Sequence, residues 1–404
     1  MKKLALHWQI LAGIIFAVFI GGLFPQSAKY LSWMGTIFVN GLSMIVVPLV
    51  FSSLFCGITN NSKGLGRLGI KTIVYYMSTS LLAILTGLLL VNLIRPGQGL
   101  GWMLTKTMEQ PNLSPKPLSD TLTDIVPFNI FQALTDNKAM LSIIFVAILA
   151  GVFTNTLESN HRNVLINFVQ AFFELMMKIT LFIMRFAPLG VFGLIVMVVA
   201  EHHNFGELLL SLGKYALTVV FGLTTHMFIT LPLILLLVGR VNPVKHYKAM
   251  LPVLITAFST SSSSATLPVT METVEKKAGV SNRISSFMLP LGATINMDGT
   301  ALYELVVAGF VAQLYGIHLT FGQQFIMVFT ALLASIGTAA IPMASLVTMT
   351  IIFSAINLPF AAVALVLPLD RPLDMLRTTV NVFSDTCGSV TVASSEGEDI
   401  AVKL

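Results

Sequence analysis

Ser261-Ser262-Ser263-Ser264-Ala265-Thr266-Leu267-Pro268 and Ser335-Ile336-Gly337-Thr338-Ala339-Ala340-Ile341-Pro342 each break an apolar segment with hydroxyls, small residues and a closing proline. Aligned on their prolines, the two share a Ser at the start, an Ala three residues before Pro, and Leu or Ile just before it. The flanks decide what the breaks mean. The first lies within the apolar stretch Ala249 to Val274, between the basic clusters Arg240, Lys245, Lys248 and Lys276, Lys277, Arg283. Short cytoplasmic loops carry an excess of Lys and Arg, so both ends of this segment are expected on the cytoplasmic side. A segment that enters and leaves by one face is a re-entrant hairpin. The second break lies within Phe325 to Ile352, whose flanks at 311–323 and 353–363 hold no Lys or Arg and are expected outside. That makes a second hairpin, entering from the opposite face. Irregular backbone at membrane depth survives only where protein buries it or a cavity borders it. Broken segments in matching positions of two oppositely entering halves point to a transporter with inverted repeats. Taken alone, the serine run reads equally as low complexity or as helix-packing hydroxyls.

Composition agrees with a lipid-facing chain. Of 404 residues, 55% are hydrophobic and 10% charged, with a mean hydropathy of +0.86, more apolar content than a water-soluble core absorbs. Runs near or above the spanning length of about 18 residues begin at Trp8 and recur at 35–56, 73–94, 140–153, 164–200 and 215–239. Met1-Lys2-Lys3 ahead of the first run resembles a signal peptide, but no small-residue cleavage site ends that run, so it is expected to be the first transmembrane helix. Lys63, Arg67 and Lys71 form a further basic cluster. The two cysteines, Cys56 and Cys387, sit in apolar contexts and suggest neither a disulfide framework nor a metal cluster. The net charge of +5 belongs to basic loops and does not suggest a nucleic-acid partner.

Two polar constellations lie beyond the first hairpin. In Gly292-Ala293-Thr294-Ile295-Asn296-Met297-Asp298-Gly299-Thr300, the residues Asn296, Asp298 and Thr300 recur at every second position. On a helix that spacing scatters them, whereas unwinding at Gly299 turns their oxygens toward one point. Oxygen ligands are what a hard cation requires; a polar kink that packs helices is the alternative. Glu304 follows Thr300 by four residues and shares its helix face, as a proton carrier or as a structural carboxyl. In the last apolar helix, Asp370, Asp374, Arg377, Asn381 and Asp385 are spaced by four, three, four and four residues, a stripe roughly 80° wide. Ionisable side chains inside a membrane segment cost about 2.5–3.5 kcal/mol each even on the lenient scale, so a stripe of them marks a functional surface. Asp374 suits an ammonium and Arg377 a carboxylate, although the two also stand at i, i+3 and are able to satisfy each other.

The serine-rich tip, Asn296-Met297-Asp298-Gly299-Thr300, Ser335-Ile336-Gly337-Thr338-Ala339 and Asp374-Met375-Leu376-Arg377-Thr378-Thr379-Val380-Asn381 together resemble the dicarboxylate/amino acid:cation symporter family. The resemblance runs from Trp8 to about Val390 and is strongest to the glutamate and aspartate carriers. It implies an all-α polytopic protein of eight transmembrane helices plus two re-entrant hairpins, a homotrimer in the plasma (inner) membrane with both termini cytoplasmic, and an elevator movement. It divides the chain into scaffold helices 1–2 (1–70), helix 3 of the transport domain (71–95), an external loop with scaffold helices 4–5 (96–206), and the remaining transport domain (207–404). Within that last part, helix 6 is followed by hairpin 1 at about 244–275, helix 7 at 282–314, hairpin 2 at 323–357 and helix 8 at 360–393.

The resemblance also implies the ligands. Substrate is expected at the backbone of Ser261 and Ser263, at Thr300, near Ile341, and at Asp374 (amino group), Arg377 (side-chain carboxylate), Thr378 and Asn381 (main-chain carboxylate). Sodium, with no organic cofactor, is expected at Gly292, Asn296, Asn381 and Asp385; at Thr294, Ser335, Ile336 and Thr338; and at Tyr76, Thr79, Ser80, Asn296 and Asp298. Tyr76, Thr79 and Ser80 otherwise read as packing hydroxyls. Asp385 and Asp374 favour sodium coupling and an acidic amino acid over proton-driven or C4-dicarboxylate relatives, and Arg377 disfavours a neutral substrate. Glu304 matches the expected proton carrier of the animal glutamate transporters. The second tip has Ala340, Met343 and Ser345 where many relatives of the family have glycine or other small or polar residues, and Pro368 and Pro372 are expected to interrupt the start of the last helix. An intramembrane serine hydrolase is disfavoured, because no Gly-x-Ser-x-Gly occurs and the seven His residues form no partner motif. An anion-conducting channel is the stronger rival, separated from a carrier by saturable, sodium-dependent, uphill flux.

Overall fold

The computed structural model describes residues 6–60, 67–98, 123, 125–135, 139–201, 205–337, 345–356, 358–359 and 362–402. These fold into helices; apart from one bridge position at Val241, no strand occurs among them. The helices are α1 (Leu6–Leu23), α2 (Ala28–Asn60), α3 (Arg67–Ile94), α4 (Ile130–Thr135), α5 (Met140–Thr154), α6 (Ser159–Met184), α7 (Ala187–Glu201) and α8 (Phe205–Thr225). From there α8 continues through π-helical turns at His226–Thr230 and Leu235–Gly239. Next come α9 (Pro243–Thr260), α10 (Ser263–Thr273), α11 (Asn282–Ile295), α12 (Asp298–Leu314), α13 (Phe321–Gly337), α14 (Ser345–Ala355) and α15 (Val363–Ser395). Four helical stretches are long and apolar enough to cross a membrane, at Pro25–Thr59, Arg67–Ile94, Ser159–Met184 and Leu209–Gly239. The run at 164–200 is two helices, because the chain turns at Arg185–Phe186 between α6 and α7.

Packing separates two groups. Helices α1 and α2 lie on α7, and α2 also carries α5 and α6. In the second group, α12 packs on α3, and α15 gathers α9, α11 and α12 around itself. Helix α12 is apolar nearly all round and is buried over almost its whole length, the pattern of a central helix.

The first serine-bearing break falls between paired helices, and the second begins inside α13, with 335–337 still helical. At the first, α9 ends on Ser261 with φ +49°, a left-handed conformation uncommon outside glycine, and Ser262 Oγ caps α10 by accepting from Ala265 N–H at 3.2 Å. Helices α9 and α10 then pack on each other. Helices α13 and α14 pair likewise, with 338–344 between them outside the described residues; Ala340 and Met343 fall there. Two expectations need correcting. The break in the seventh helix lies at Asn296–Met297, and Gly299 is already helical. It has to be glycine for another reason: a Cβ there would stand 2.8 Å from the carbonyl oxygen of Arg377. The last helix also runs unbroken through positions 368 and 372, since neighbouring helices support a span whose prolines leave ladder bonds unmade.

At one end, residues 396–402 strap the molecule together. Glu396, at the end of α15, receives Lys71 at 2.5 Å, Arg283 at 3.4 Å and Arg67 at 3.5 Å. The Lys71 hydrogen bond, with the charges of Lys71, Arg67 and Arg283, holds its carboxyl below the usual glutamate range. Glu398 accepts from the backbone N–H (2.9 Å) and hydroxyl of Ser281, the residue just ahead of α11. Ala401 N–H bonds to Ala278 O at 2.8 Å, and Asn242 N–H to Val402 O at 2.9 Å. The strap thereby touches both feet of the α9–α10 hairpin.

Candidate binding site

The polar stripe of α15 faces inward as a unit, with Asp370, Asp374, Arg377, Asn381 and Asp385 all buried. Burying five such groups is tolerable only if they partner one another or a ligand. Arg377 Nη2 donates to Asp370 Oδ1 and to Asp374 Oδ1, each at 2.9 Å. Its guanidinium carbon sits 3.7 Å from the ring centroid of Tyr303, close enough for a cation–π contact, and the Tyr303 hydroxyl donates to Asp370 Oδ1 at 2.9 Å. Arg371 reaches the other oxygen of Asp374 at 3.4 Å. Nε and Nη1 of Arg377, though buried, have no hydrogen-bond partner among the described residues. The guanidinium is therefore clamped on one side and chemically open on the other, where its fork matches a carboxylate.

One turn further, Asn381 ties α15 to the break between α11 and α12. Its Oδ1 accepts from Gly299 N–H at 2.7 Å and more weakly from Thr300 N–H at 3.4 Å. Its Nδ2 donates to Thr300 Oγ1 at 3.0 Å and contacts Met297 Sδ at 3.2 Å. The amide thus satisfies donors at the N-terminus of α12 that no intrahelical acceptor reaches. Thr378 is buried beside it. Ser261 and Ser263 at the hairpin tip are buried as well, and Ser261 Oγ has no partner among the described residues.

Behind this face runs a chain of oxygen ligands. Asp385 Oδ1 accepts from Asn296 Nδ2 at 2.9 Å, and the same Nδ2 donates to Ser384 Oγ at 3.1 Å. Ser384 donates in turn to Asp298 Oδ2 at 2.6 Å. Asp298 also accepts from Ser80 at 2.6 Å and stands 3.1 Å from His226 Nε2. Thr79 closes the chain with a 3.3 Å bond to Asn296 Oδ1. Tyr76 turns its hydroxyl to Met288 O at 2.8 Å. A Cβ on Gly292 would lie 2.4 Å from Asp385 Oδ1 and 2.6 Å from the Tyr76 oxygen, so only glycine lets those two atoms converge. This set of carboxylate, amide and hydroxyl oxygens is the donor chemistry of a hard monovalent or divalent cation.

Not every expected residue joins the cluster. Thr294 directs its hydroxyl to Leu291 O at 3.0 Å, and Ser335 is buried with its hydroxyl on Leu332 O at 2.8 Å. Ile336 is helical, with nothing described of its side chain, and Thr338 and Ile341 lie outside the described residues. Glu304 is fully buried, and its Oε1 accepts from Thr348 of α14 while Oε2 has no partner. Tyr303, Ser384, His226, Arg371 and Thr348 enter these contacts with no expected role, and Asp370 is expected only as a member of the stripe. A signal for His226 exists in the sequence, an ionisable residue amid an apolar run. Its meeting with Asp298, 72 residues away, has no sequence signature.

Comparison with known proteins meets this geometry from another side. Residues 6–395 match the family model described as the sodium:dicarboxylate symporter family. An excitatory amino acid transporter of Caenorhabditis elegans is 34% identical over 91% of this chain and 82% of its own length. A proton/sodium-glutamate symport protein of Geobacillus stearothermophilus is 35% identical over 98% of this chain and 96% of its own. A proton/glutamate-aspartate symporter of Escherichia coli is 33% identical over 98% and 93%. With a match across nearly the whole chain and relatives above 30% identity, this protein, a transporter rather than an enzyme by kinship, belongs to the sodium:dicarboxylate symporter family.

Proposed function

We propose that this protein couples the inward movement of sodium to that of an acidic amino acid, L-aspartate or L-glutamate. The observation that carries the reading is the half-clamped Arg377, fully buried with Nε and Nη1 unpartnered on a helix that also offers Asp374 and Asn381. The substrate side-chain carboxylate takes the open nitrogens, the ammonium goes to Asp374, and the main-chain carboxylate to Asn381 and Thr378. Backbone at Ser261 and Ser263, Thr300 and the segment near Ile341 complete the enclosure.

Charge balance supports the coupling. Five buried carboxyl groups, Asp298, Glu304, Asp370, Asp374 and Asp385, face Arg377, the single buried guanidinium among the described residues, with Arg371 only at the edge. Uncompensated buried charge costs several kcal/mol per ion, so cation entry relieves the site and favours the substrate. Sodium is held by Asp385, Asn296, Asn381 and Gly292; by Tyr76, Thr79, Ser80, Asn296 and Asp298; and by Thr294, Ser335, Ile336 and Thr338. Glu304 carries a proton, its contact with Thr348 linking it to hairpin 2.

The two packing groups favour a fixed scaffold (1–70 and 96–206) and a moving transport domain (71–95 and 207–404) in an elevator cycle. Eight transmembrane helices, two re-entrant hairpins, a homotrimer and cytoplasmic termini in the plasma (inner) membrane belong to the same reading. It is tested by uptake of labelled aspartate, glutamate and serine into proteoliposomes under imposed sodium, proton and potassium gradients. Uphill accumulation of acidic substrate that needs sodium is expected; flux that neither saturates nor needs sodium points to a channel and overturns the proposal.

A further inference from the structure

At the end of the molecule away from the Glu396 cluster, a cavity of about 310 Å³ opens between the end of α3, the end of α12 and the start of α13. Its polar lining among the described residues is Asn92, Arg95, Gln98, Gln313, His318 and Gln324, with no acidic side chain among them. Asn92, Arg95, Gln98 and His318 are exposed at its mouth, and the loop that carries Arg95 is held in place. Arg95 ends α3 with φ +50°, the left-handed region that side chains other than glycine seldom enter. Its loop is locked in that state: Gln313 accepts from Gly97 N–H at 3.0 Å and donates to Val91 O at 2.9 Å. The guanidinium is steadied by one bond, Nε to Asn92 O at 3.1 Å. Its two terminal nitrogens have no partner among the described residues, and Asn92 Nδ2 bonds Gln324 of α13 at 3.0 Å across the cavity wall.

We propose that this cavity is a binding site for a small carboxylate anion, separate from the site around Arg377. An exposed guanidinium whose terminal nitrogens have no protein partner among the described residues, beside amide and imidazole donors and with no carboxylate in the described lining, is an arrangement that recognises a carboxylate in forked geometry. Arg95 supplies the fork, while Gln98 and His318 supply further polar contacts. Because Gln324 and Met327 belong to α13 and the opposite wall belongs to α3, a bound anion braces the first arm of the second hairpin against α3. Occupancy of the cavity is thereby felt at that hairpin.

Succinate is a suitable probe, since it has two carboxylates and no ammonium for Asp374. Its binding to the purified, sodium-loaded protein is measured with radiolabelled ligand for wild type, Arg95→Gln and Arg377→Gln, with folding of each followed by thermal unfolding. Loss of a charge-assisted pair predicts about tenfold or more weaker binding to Arg95→Gln and unchanged binding to Arg377→Gln. Binding that disappears in Arg377→Gln but persists in Arg95→Gln, or no measurable binding to wild type, overturns the proposal. If Arg377→Gln does not fold, the comparison of wild type with Arg95→Gln decides alone: equal affinities overturn it. None of these readouts depends on transport.

Discussion

Nε2 of His226 stands 3.1 Å from Oδ2 of Asp298, and both side chains are fully buried. The π-helical turn that begins at His226 interrupts the regular spacing of α8 there, a distortion often found at functional sites. Asp298 is held from α8 by His226, from α3 by Ser80 and from α15 by Ser384. Removing one support should therefore loosen the carboxylate without unfolding the bundle. Ser384→Ala leaves Asp298 and Asn296 each short of a partner, a loss of about 1–3 kcal/mol for buried polar groups. Sodium affinity, read from the sodium dependence of aspartate binding, is expected to fall about tenfold, with little change in preference between aspartate and serine. An unaltered sodium dependence would separate this hydrogen-bond chain from cation binding.

Asp385→Asn removes a formal charge from the other end of the chain while preserving shape. The expected result is a sodium requirement raised by about 30-fold or more, the equivalent of losing one member of a buried charge pair, with substrate choice retained. Sodium titration of the purified variant checks this, and wild-type sodium affinity would remove Asp385 from the cation site.

Glu304→Gln keeps an oxygen acceptor for Thr348 and removes the ability to carry a proton. Net uptake should lose any pH-dependent component, while sodium-linked exchange of internal for external aspartate continues. Measurement of proton flux with a pH dye during uptake decides the matter: if wild-type uptake carries no protons, the carboxyl is structural.

The strap at 396–402 makes a separate prediction. Glu398→Ala removes the acceptor for the backbone N–H and hydroxyl of Ser281, just ahead of α11, and should cost about 0.5–1.5 kcal/mol of local stability, the usual net worth of a hydrogen bond. Faster amide exchange at Ala278–Ser281 is its signature, and unchanged exchange rates there would mean that the strap is ornamental. The Glu396 tie has its own pH behaviour. Because its carboxyl titrates below the ordinary value of about 4.3, the tie is complete above that value and is lost as pH falls through the depressed one.

Much of this was legible in the sequence because membranes restrict what a buried residue is allowed to be. The stripe from Asp370 to Asp385 follows from helical spacing alone, and all five members are buried as that spacing requires. The serine break at Ser261 likewise stands where polarity and helix-breaking residues coincide. What failed was local detail. Gly299 read as the point of unwinding, yet its glycine serves close approach to Arg377, and the break falls at Asn296–Met297. The prolines at 368 and 372 read as breakers, but α15 continues past both. Partnerships such as Tyr303 with Asp370, or Ser384 with Asp298, join distant segments through ordinary residue types, and no spacing rule announces them.

Arg377 carries the central claim, and Arg377→Cys in proteoliposomes tests it most directly. Wild-type protein should accumulate labelled aspartate against its gradient when sodium is directed inward. The variant, which keeps Asp374 for an ammonium and Asn381 for a carboxylate, should lose aspartate and glutamate by roughly 30-fold or more in affinity and bind serine as well as or better than wild type. Equal losses for acidic and neutral substrates would contradict the account, because Arg377 would then be holding the helices together and not reading the substrate side chain.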